Sequence, residues 1–347
     1  MPTQISPELP NQARVASAAR DRAPVFVLGC GRSGTKFLYH TLLSAGGFAV
    51  YYAESNAFNL LGSRFGNLRH RNNRRKMLDT WLSSKLFQRT GLTPEEIEPR
   101  ILNDCHNAAD FLRIVMETIA QRQGVLRWAE CTPLHLLYLP LIKSLIPEAL
   151  IVHIIRDGRD VAVSLNKIGW IRPYPWDRNR SVISAGIFWR WIVSKGLQYG
   201  RSLGNDYTEV HYEDLVAQPQ QTLARLGEFL QHDLAYDRIQ QASLGSLQNP
   251  NSSFKDAQAS TDFSPVGRWK TVLSGEQVRD LESAIGHLLT RLDYSLETPR
   301  DQLTKTPAVG LMTLLYPNVF DVKLWLKNHT PLARTADIGR MGIIQPW

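Results

Sequence analysis

The sequence of 347 residues has little cysteine and lacks several signals that would by themselves define a function. Its three cysteines, Cys30, Cys105 and Cys131, are odd in number and widely spaced, which disfavours a disulfide framework and favours a reducing compartment. No CxxC or HxxxH spacing indicates a zinc site, and we expect no metal. The chain has no apolar N-terminal stretch that would predict a secretory signal, and it has no run of 18 apolar residues that would predict a transmembrane segment. A cytoplasmic protein is therefore expected.

Positive charge exceeds negative charge in the chain, since 40 Lys and Arg residues against 32 Asp and Glu residues give a formal net charge of +8. A basic surplus suits an anionic partner, such as nucleic acid, a membrane surface or a phosphorylated ligand. No basic strip interleaved with aromatic residues is present, so we expect no nucleic-acid partner. The oligomeric state is not indicated by the sequence.

Four apolar segments have the character of buried strands. Val25–Leu28 and Phe48–Tyr52 flank a glycine-rich loop and a segment with helical spacing, which together predict a β–loop–α–β unit. Leu150–Ile155 is a β-branched run without alternation, as is typical of a strand buried in a parallel sheet. Thr208–His211 is a weaker strand. The pattern predicts an α/β fold with a central parallel sheet flanked by helices.

Helices are predicted between and after these strands. Thr93, followed by proline and two acids, is a typical helix start. Pro133–Ile146 and residues 219–231 have helical spacing, and Ser274–Asp293 has an amphipathic pattern that begins with a capping box. Residues 245–265 are rich in Ser, Asn and Gln and predict a long loop.

Composition divides the chain into one folded domain and two flanking segments. Residues 1–23 are polar and contain several prolines, which predicts a disordered lead-in. The pattern of strands and helices occupies residues 24–297, with a helical insertion at 56–125. Residues 298–347 form a C-terminal extension to which no role is assigned.

The loop Gly29–Lys36 is typical of an anion-binding site, because its glycines allow backbone N–H groups to approach a phosphate at a helix start. Gly29, Gly31 and Gly34 spell GxGxxG, and Glu54 follows Gly34 by twenty positions, where a ribose-binding acid would belong. A Rossmann-type enzyme that binds NAD(P) or FAD is therefore one interpretation.

Other residues of the same loop favour a different ligand. A P-loop kinase or nucleotide-binding protein requires Lys followed by Ser or Thr, whereas Thr35 precedes Lys36 here. Arg32 adds a cation that a dinucleotide-binding turn does not need. Such a cation suits a terminal sulfuryl or phosphoryl group that is being transferred.

Four segments resemble the PAPS-dependent sulfotransferases (PAPS is 3′-phosphoadenosine-5′-phosphosulfate), most of all their tyrosylprotein and carbohydrate branch. Arg32-Ser33-Gly34-Thr35 resembles the 5′-phosphosulfate loop of that family. Arg156, at the end of a predicted strand, and Ser164, eight residues later, resemble its 3′-phosphate segment. Tyr212-Glu213-Asp214-Leu215 and Gly267-Arg268-Trp269-Lys270 are similar to later family segments, so that the resemblance spans about residues 25–295.

The resemblance implies a three-layer, P-loop-like fold in which 24–297 is the sulfotransferase domain and 56–125 lies on the acceptor side. It implies transfer of a sulfuryl group from PAPS to a hydroxyl or amine, with release of adenosine 3′,5′-bisphosphate and without a metal. The acceptor would be a glycan or another hydroxylated metabolite, with a tyrosine peptide still open. The implied catalytic residues are Glu54 as base, with Arg32 and Lys36. The implied PAPS-binding residues are Gly31, Arg32, Ser33, Gly34, Thr35, Lys36, Arg156, Ser164, Tyr212, Gly267, Arg268, Trp269 and Lys270.

One position departs from the family pattern. Many relatives carry a lysine that touches the leaving group where this chain has Cys131, and a neutral thiol cannot replace that charge. Lys36 or Arg32 would then supply the charge, or another cation would do so. Glu130, beside Cys131, is a second candidate acid or base.

Overall fold

The computed structural model describes residues 20–169, 171–174, 181–242 and 265–330. Five strands form one parallel sheet: β1 (Val25–Gly29), β2 (Phe48–Ala49), β3 (Arg127–Glu130), β4 (Leu150–Ile155) and β5 (Tyr207–His211). Their order across the sheet is β2–β3–β1–β4–β5. All residues of β1 and β4 are buried, because helices cover both faces of the sheet.

The helices surround this sheet and account for most of the remaining described residues. In chain order they are α1 (Thr35–Ser44), α2 (Gly62–Arg64), α3 (Arg71–Leu82), α4 (Lys85–Gln88), α5 (Pro94–Asp104), α6 (Ala108–Arg122), α7 (Leu139–Leu145), α8 (Gly158–Ile168), α9 (Val182–Gly200), α10 (Tyr212–Ala217), α11 (Pro219–Leu230), α12 (Tyr236–Gln241), α13 (Trp269–Val272), α14 (Gly275–Arg291) and α15 (Pro307–His329). A π-helical turn spans Ala57–Leu61, and 3₁₀ turns span Pro133–Tyr138, Gly204–Asp206 and Arg300–Gln302.

Two cores lie on opposite faces of the sheet. Phe26 and Leu28 of β1 belong to one core, and Val25 and Val27 belong to the other. This alternation follows from the two-residue period of a strand. The predicted α/β fold of three layers, with a central parallel sheet flanked by helices, is confirmed.

The connections create a switch point at the carboxyl ends of β1 and β4. The chain leaves β1 through α1 to reach β2 at one edge of the sheet, and leaves β4 through α8 and α9 to reach β5 at the other edge. Ligands of open α/β sheets bind where neighbouring strands lead in opposite directions. The loop at residues 30–34 and the residues after Ile155 both lie there.

Two predicted elements differ from the observed ones. Of the predicted strand Phe48–Tyr52, only Phe48 and Ala49 pair, with Arg127 and Trp128 of β3. The predicted helix Pro133–Ile146 consists of a 3₁₀ turn followed by α7. Pro140 explains this break, because proline fits the first turn of a helix and not its interior.

The helical insertion at 56–125 contains the basic segment Arg69–Lys76, in which two arginines of α3 have structural partners. Arg74 is buried and donates hydrogen bonds to the carbonyls of Leu102 at 2.9 Å and Leu68 at 2.8 Å. Arg75 pairs with Glu98 at 2.6 Å. These two cations therefore hold the insertion together.

The flanking segments are only partly described. Residues 1–19 of the predicted lead-in lie outside the described residues, whereas residues 20–23 join the fold: Arg20 donates to the Phe229 carbonyl at 2.8 Å, and Ala23 is buried. In the C-terminal extension, α15 packs Tyr316 and Phe320 into the main core. None of the described helices is long and apolar enough to cross a membrane.

Candidate active site

The loop at residues 30–34 leads from β1 into α1 and presents the start of that helix. Gly34 precedes the helix with φ of 93°, and no side chain caps the helix. A Cβ at Gly34 would lie 2.5 Å from the Tyr212 ring, so that only glycine fits there. The first N–H groups of a helix carry partial positive charge. This end of α1 is therefore suited to an anion.

Arg32 joins the loop to α8. Its backbone has φ of 75°, which is uncommon outside glycine, and its Nε donates to the Ser164 Oγ at 2.9 Å. Burial, and secondarily the charge of Arg156, lowers the pKa of Arg32 to about 10. Because the two guanidinium groups repel each other, an anion between them would be stabilised. The loop and the Arg156–Ser164 segment, predicted separately, thus meet in one site.

Arg156 lies just after β4 and is 7% exposed. Its guanidinium lies 4.5 Å from the centre of the Tyr212 ring and donates to the Arg32 carbonyl at 3.2 Å and to the Pro265 carbonyl. The Asp160 carboxylate lies 3.8 Å away. A salt bridge with Asp160 therefore exists, but it is longer than the hydrogen bond to the Arg32 carbonyl. The cation faces the loop at the carboxyl edge of the sheet.

Asp160 connects α8 to the segment 265–270. Its carboxylate accepts hydrogen bonds from the backbone N–H of Gly267 at 2.8 Å and of Trp269 at 2.9 Å. Burial raises the pKa of Asp160, and Arg156 opposes this rise. Gly267 has φ of 72°. Asp160 therefore fixes the turn that carries the predicted Gly267-Arg268-Trp269-Lys270 segment next to Arg156.

The side chains of this segment have different surroundings. Trp269 is buried, with the Arg159 guanidinium 3.9 Å from its ring centre. Lys270 pairs with the exposed Glu297 at 2.6 Å. The structure thus brings Trp269 to the α8 end of the site, while the Lys270 ammonium is engaged by a surface carboxylate.

Glu54 and Lys36 are the other two residues predicted to be catalytic besides Arg32. Lys36 is exposed in the first turn of α1, and Glu54 is half-buried in the segment after β2. Burial raises the pKa of Glu54; the charge of Lys36 opposes this rise and that of Glu130 reinforces it. A carboxylate with a raised pKa is a better proton acceptor near neutrality than an ordinary one.

Glu130, the second carboxylate predicted for this region, is sequestered. It is 2% exposed and accepts hydrogen bonds from Ser55 Oγ at 2.7 Å, from His135 Nδ1 at 3.0 Å and from Thr132 Oγ1. Burial alone would raise its pKa, but His135 and these hydrogen bonds lower it overall. A buried carboxylate that already accepts these hydrogen bonds cannot contact a substrate hydroxyl, so Glu54 is the better candidate base.

Cys131, the position at which the resemblance implies a lysine, is buried directly after β3. Burial raises the pKa of its thiol well above the ordinary value, and the charges of Glu54 and Glu130 raise it further. The thiol is therefore neutral near pH 7 and supplies no charge to the site.

Replacing Cys131 by serine should change the turnover number by less than about threefold, because a neutral group replaces a neutral group. The matched control is Cys105→Ser, since burial also raises the pKa of Cys105, to about 12. Turnover and thermal stability of both variants check the prediction. A large loss of turnover in Cys131→Ser alone, in a stably folded protein, would contradict it.

Sequence reasoning missed two contacts that organise the site. The first is the pair of backbone hydrogen bonds that Asp160 accepts, and the second is the Glu130–His135 contact. Each depends on a turn that brings distant or irregular segments together, and no local pattern signals such a turn. Within the described ranges, no group of three or more His, Cys, Asp or Glu side chains could hold a metal ion.

Solved structures of other proteins are similar to this chain in fold. A solved sulfotransferase domain from the curacin biosynthetic pathway is 18% identical, with a TM-score of 0.55, and the match covers 79% of this chain and 98% of that domain. The sulfotransferase domain of the Synechococcus PCC 7002 olefin synthase is also 18% identical, with a TM-score of 0.48 and coverage of 86% and 94%. At this identity the first likeness shows the fold alone. No curated protein matches the chain significantly in sequence.

The sequence profile of the sulfotransferase family matches residues 24–237, which is more than half of the chain. The matched segment contains the loop at residues 30–34, Arg156 and Ser164. The chain therefore belongs to the sulfotransferase family.

Proposed function

We propose that the protein transfers a sulfuryl group from PAPS to a hydroxyl or amine of a small acceptor and releases adenosine 3′,5′-bisphosphate. The observation that carries this proposal is the meeting of two cations, Arg32 and Arg156, at the start of α1. Ser164 lies next to Arg32, whose Nε donates a hydrogen bond to the Ser164 Oγ at 2.9 Å. An uncapped helix start, two guanidinium groups and a hydroxyl form a suitable set of donors for a doubly phosphorylated nucleotide.

The buried polar atoms of the site support this fit. Ser33 Oγ and Arg156 Nε are buried and have no hydrogen-bond partner in the structure. Buried polar atoms in proteins are rarely left without a partner, and phosphate oxygens would satisfy both donors. We assign the 5′-phosphosulfate to the loop with Arg32, and the 3′-phosphate to Arg156 and Ser164.

Bound PAPS would supply an activated sulfuryl group with a phosphate leaving group. Lys36, Arg32 and the backbone N–H groups of the loop would stabilise the negative charge that develops on the leaving phosphate. Because Cys131 is neutral, these cations have to do so without the family lysine. Glu54 would take the proton from the attacking hydroxyl, which its raised pKa favours.

For the acceptor we propose a glycan or another hydroxylated metabolite. The acceptor side would be formed by the helical insertion at 56–125 together with parts of the span from Trp170 to Trp191. Trp189 and Trp191 are buried in the core, whereas Trp170 and residues 175–180 lie outside the described residues. The odd number and wide spacing of the cysteines favour the cytoplasm as the location.

Thermal unfolding in the presence of three ligands tests this proposal. Adenosine 3′,5′-bisphosphate at a hundred times its dissociation constant should stabilise the protein by about 2.7 kcal/mol, whereas NAD(P) and ATP with magnesium should have little effect. Stabilisation by NAD(P) but not by the bisphosphate would instead favour a dinucleotide enzyme, and stabilisation by ATP with magnesium a kinase. Incubation with labelled PAPS and a panel of hydroxylated acceptors would then identify the class of acceptor.

A further inference from the structure

A network of hydrogen bonds centred on Glu130 holds the segment that follows Glu54. Ser55 Oγ donates to Glu130 at 2.7 Å, and Asn56 N donates to Thr132 Oγ1 at 3.2 Å. The segment is thus anchored to the end of β3 immediately after the candidate base. Glu54 is bonded covalently to Ser55, the first residue of this segment, so the backbone position of Glu54 depends on these hydrogen bonds.

His135 extends the anchor by one more residue and settles the charge of the network. The Phe58 N–H is only a donor, and it lies 3.3 Å from His135 Nε2, which must therefore accept and carry no proton. The proton of the neutral ring is then on Nδ1, which donates to Glu130 at 3.0 Å. Glu130 consequently keeps a negative charge that no neighbouring cation within this network neutralises.

The held segment has an unusual backbone, which the network explains. Asn56 has φ of 53° in the left-handed region, and the π-helical turn Ala57–Leu61 follows it. Left-handed residues other than glycine cost free energy and persist where surrounding contacts fix them, and π-turns are often found at functional sites. Asn56 Nδ2 also donates to the Glu54 carbonyl at 3.1 Å. The turn that follows Glu54 is therefore fixed from both sides.

We propose that the Glu130–His135 pair is a positioning element for Glu54, which holds the turn after it and keeps a fixed negative charge beside it. This inference rests on the proposed role of Glu54 as the base. Glu130 does not touch the substrate; it acts through the position and the proton affinity of Glu54.

The charged and titratable groups around Glu54 come from three elements. Lys36 of α1 lowers the pKa of Glu54 and Glu130 of β3 raises it, whereas His135 of the following 3₁₀ turn would lower it only in its protonated form. Cys131, next to Glu130, is also near Glu54 but is neutral near pH 7. Glu130 is therefore the only carboxylate among these groups, and removing its charge should lower the pKa of Glu54.

The decisive variant is Glu130→Gln, measured as kcat and kcat/KM against pH with PAPS and a working acceptor. We expect kcat to fall about tenfold to a hundredfold, because a misplaced base loses much of its effect. We also expect the acidic limb of the kcat profile to move to lower pH, while the affinity for adenosine 3′,5′-bisphosphate stays within about twofold. An equal loss at every pH with an unmoved limb would show a merely structural role and would overturn the proposal, as would an unchanged kcat.

Three further variants keep the test decisive. Glu148→Gln is the control: it removes an exposed carboxylate that pairs with Arg113, and neither residue belongs to the network around Glu130. This variant should leave both kcat and the pH profile unchanged. Ser55→Ala removes one hydrogen bond to Glu130 and keeps its charge, so kcat should fall severalfold while the acidic limb stays in place. If Glu130→Gln does not fold, an unchanged kcat in Ser55→Ala overturns the proposal. Full activity of Glu54→Gln would show that Glu54 is not the base. Loss of kcat in Glu54→Gln together with wild-type kcat and pH profile in Glu130→Gln would refute only the positioning role of Glu130.

Discussion

Replacing Glu54 by glutamine should lower kcat about a hundredfold to ten-thousandfold, which is the usual contribution of general acid–base catalysis. The amide keeps the size of the side chain but cannot accept the proton of an attacking hydroxyl. Binding of adenosine 3′,5′-bisphosphate should change by less than about threefold, because the proposed phosphate contacts come from the loop, Arg156 and Ser164. Calorimetric titration with the bisphosphate and turnover with labelled PAPS measure the two effects separately.

The pH profile gives this prediction a second readout. Only the ionised carboxylate can act as a base, so activity should fall as the pH drops through the pKa of Glu54. Burial raises that pKa, so the acidic limb should lie above the range of an ordinary glutamate. Glu54→Gln should lose this limb, whereas Glu148→Gln should keep it. If Glu54→Gln retains wild-type turnover and the same limb, Glu54 is not the base.

The strands at the centre of the sheet could be predicted from the sequence, whereas β3 could not. Val25–Gly29 and Leu150–Ile155 are continuous apolar runs, as buried parallel strands usually are. β3 begins with Arg127 and ends with Glu130, each 2% exposed. Arg127 is satisfied by the carbonyls of Ala23 at 2.8 Å and Leu230 at 3.0 Å, and such distant partners leave no trace in a local pattern.

Two long helices were also missed, for reasons that lie in their packing. α9 contains Gly186, Gly196 and Gly200, which weaken the helical signal, but each allows close approach of another side chain: a Cβ on Gly186 would lie 2.4 Å from Leu281. α15 contains Pro317 and has apolar residues on several sides, so it shows no clear amphipathic face. Local propensity was overridden in both helices by tertiary contacts.

The candidate site shows the same division between local and distant information. The loop, Arg156 and Ser164 could be predicted because each lies directly after a strand or in the helix that follows, and parallel strands bring such positions to one edge. The contacts of Asp160 with Gly267 and Trp269 join residues 107 and 109 positions apart and could not be predicted. They explain why the segment 265–270 lies at the edge of the sheet, while residues 245–264 of the predicted long loop lie outside the described residues.

Replacing Arg156 by alanine should weaken the binding of adenosine 3′,5′-bisphosphate by about 2–5 kcal/mol, or roughly thirtyfold to a few thousandfold. The variant loses a buried charge that the 3′-phosphate would meet, and the phosphate would keep only the Ser164 hydroxyl. The affinity of Arg156→Lys for the bisphosphate should lie between those of the wild type and Arg156→Ala, because lysine keeps the charge but lacks the planar, forked donor geometry of the guanidinium. Calorimetric titration with the bisphosphate and with adenosine 5′-monophosphate measures the effect, and the monophosphate should lose little affinity because it has no 3′-phosphate.

A matched control separates this loss from the general cost of removing a buried arginine. Arg127→Ala also removes the guanidinium of an arginine that is 2% exposed. The partners of Arg127 are backbone carbonyls near the start of β3, whereas the site lies near the end of that strand. This variant should lower thermal stability, since buried carbonyls lose their donors, and leave the affinity of the folded protein for the bisphosphate almost unchanged. Equal affinity in Arg156→Ala and the wild type would exclude Arg156 from the phosphate site and leave its contacts within the protein as its role. A loss confined to the bisphosphate in Arg156→Ala, and absent in Arg127→Ala, assigns Arg156 to the 3′-phosphate.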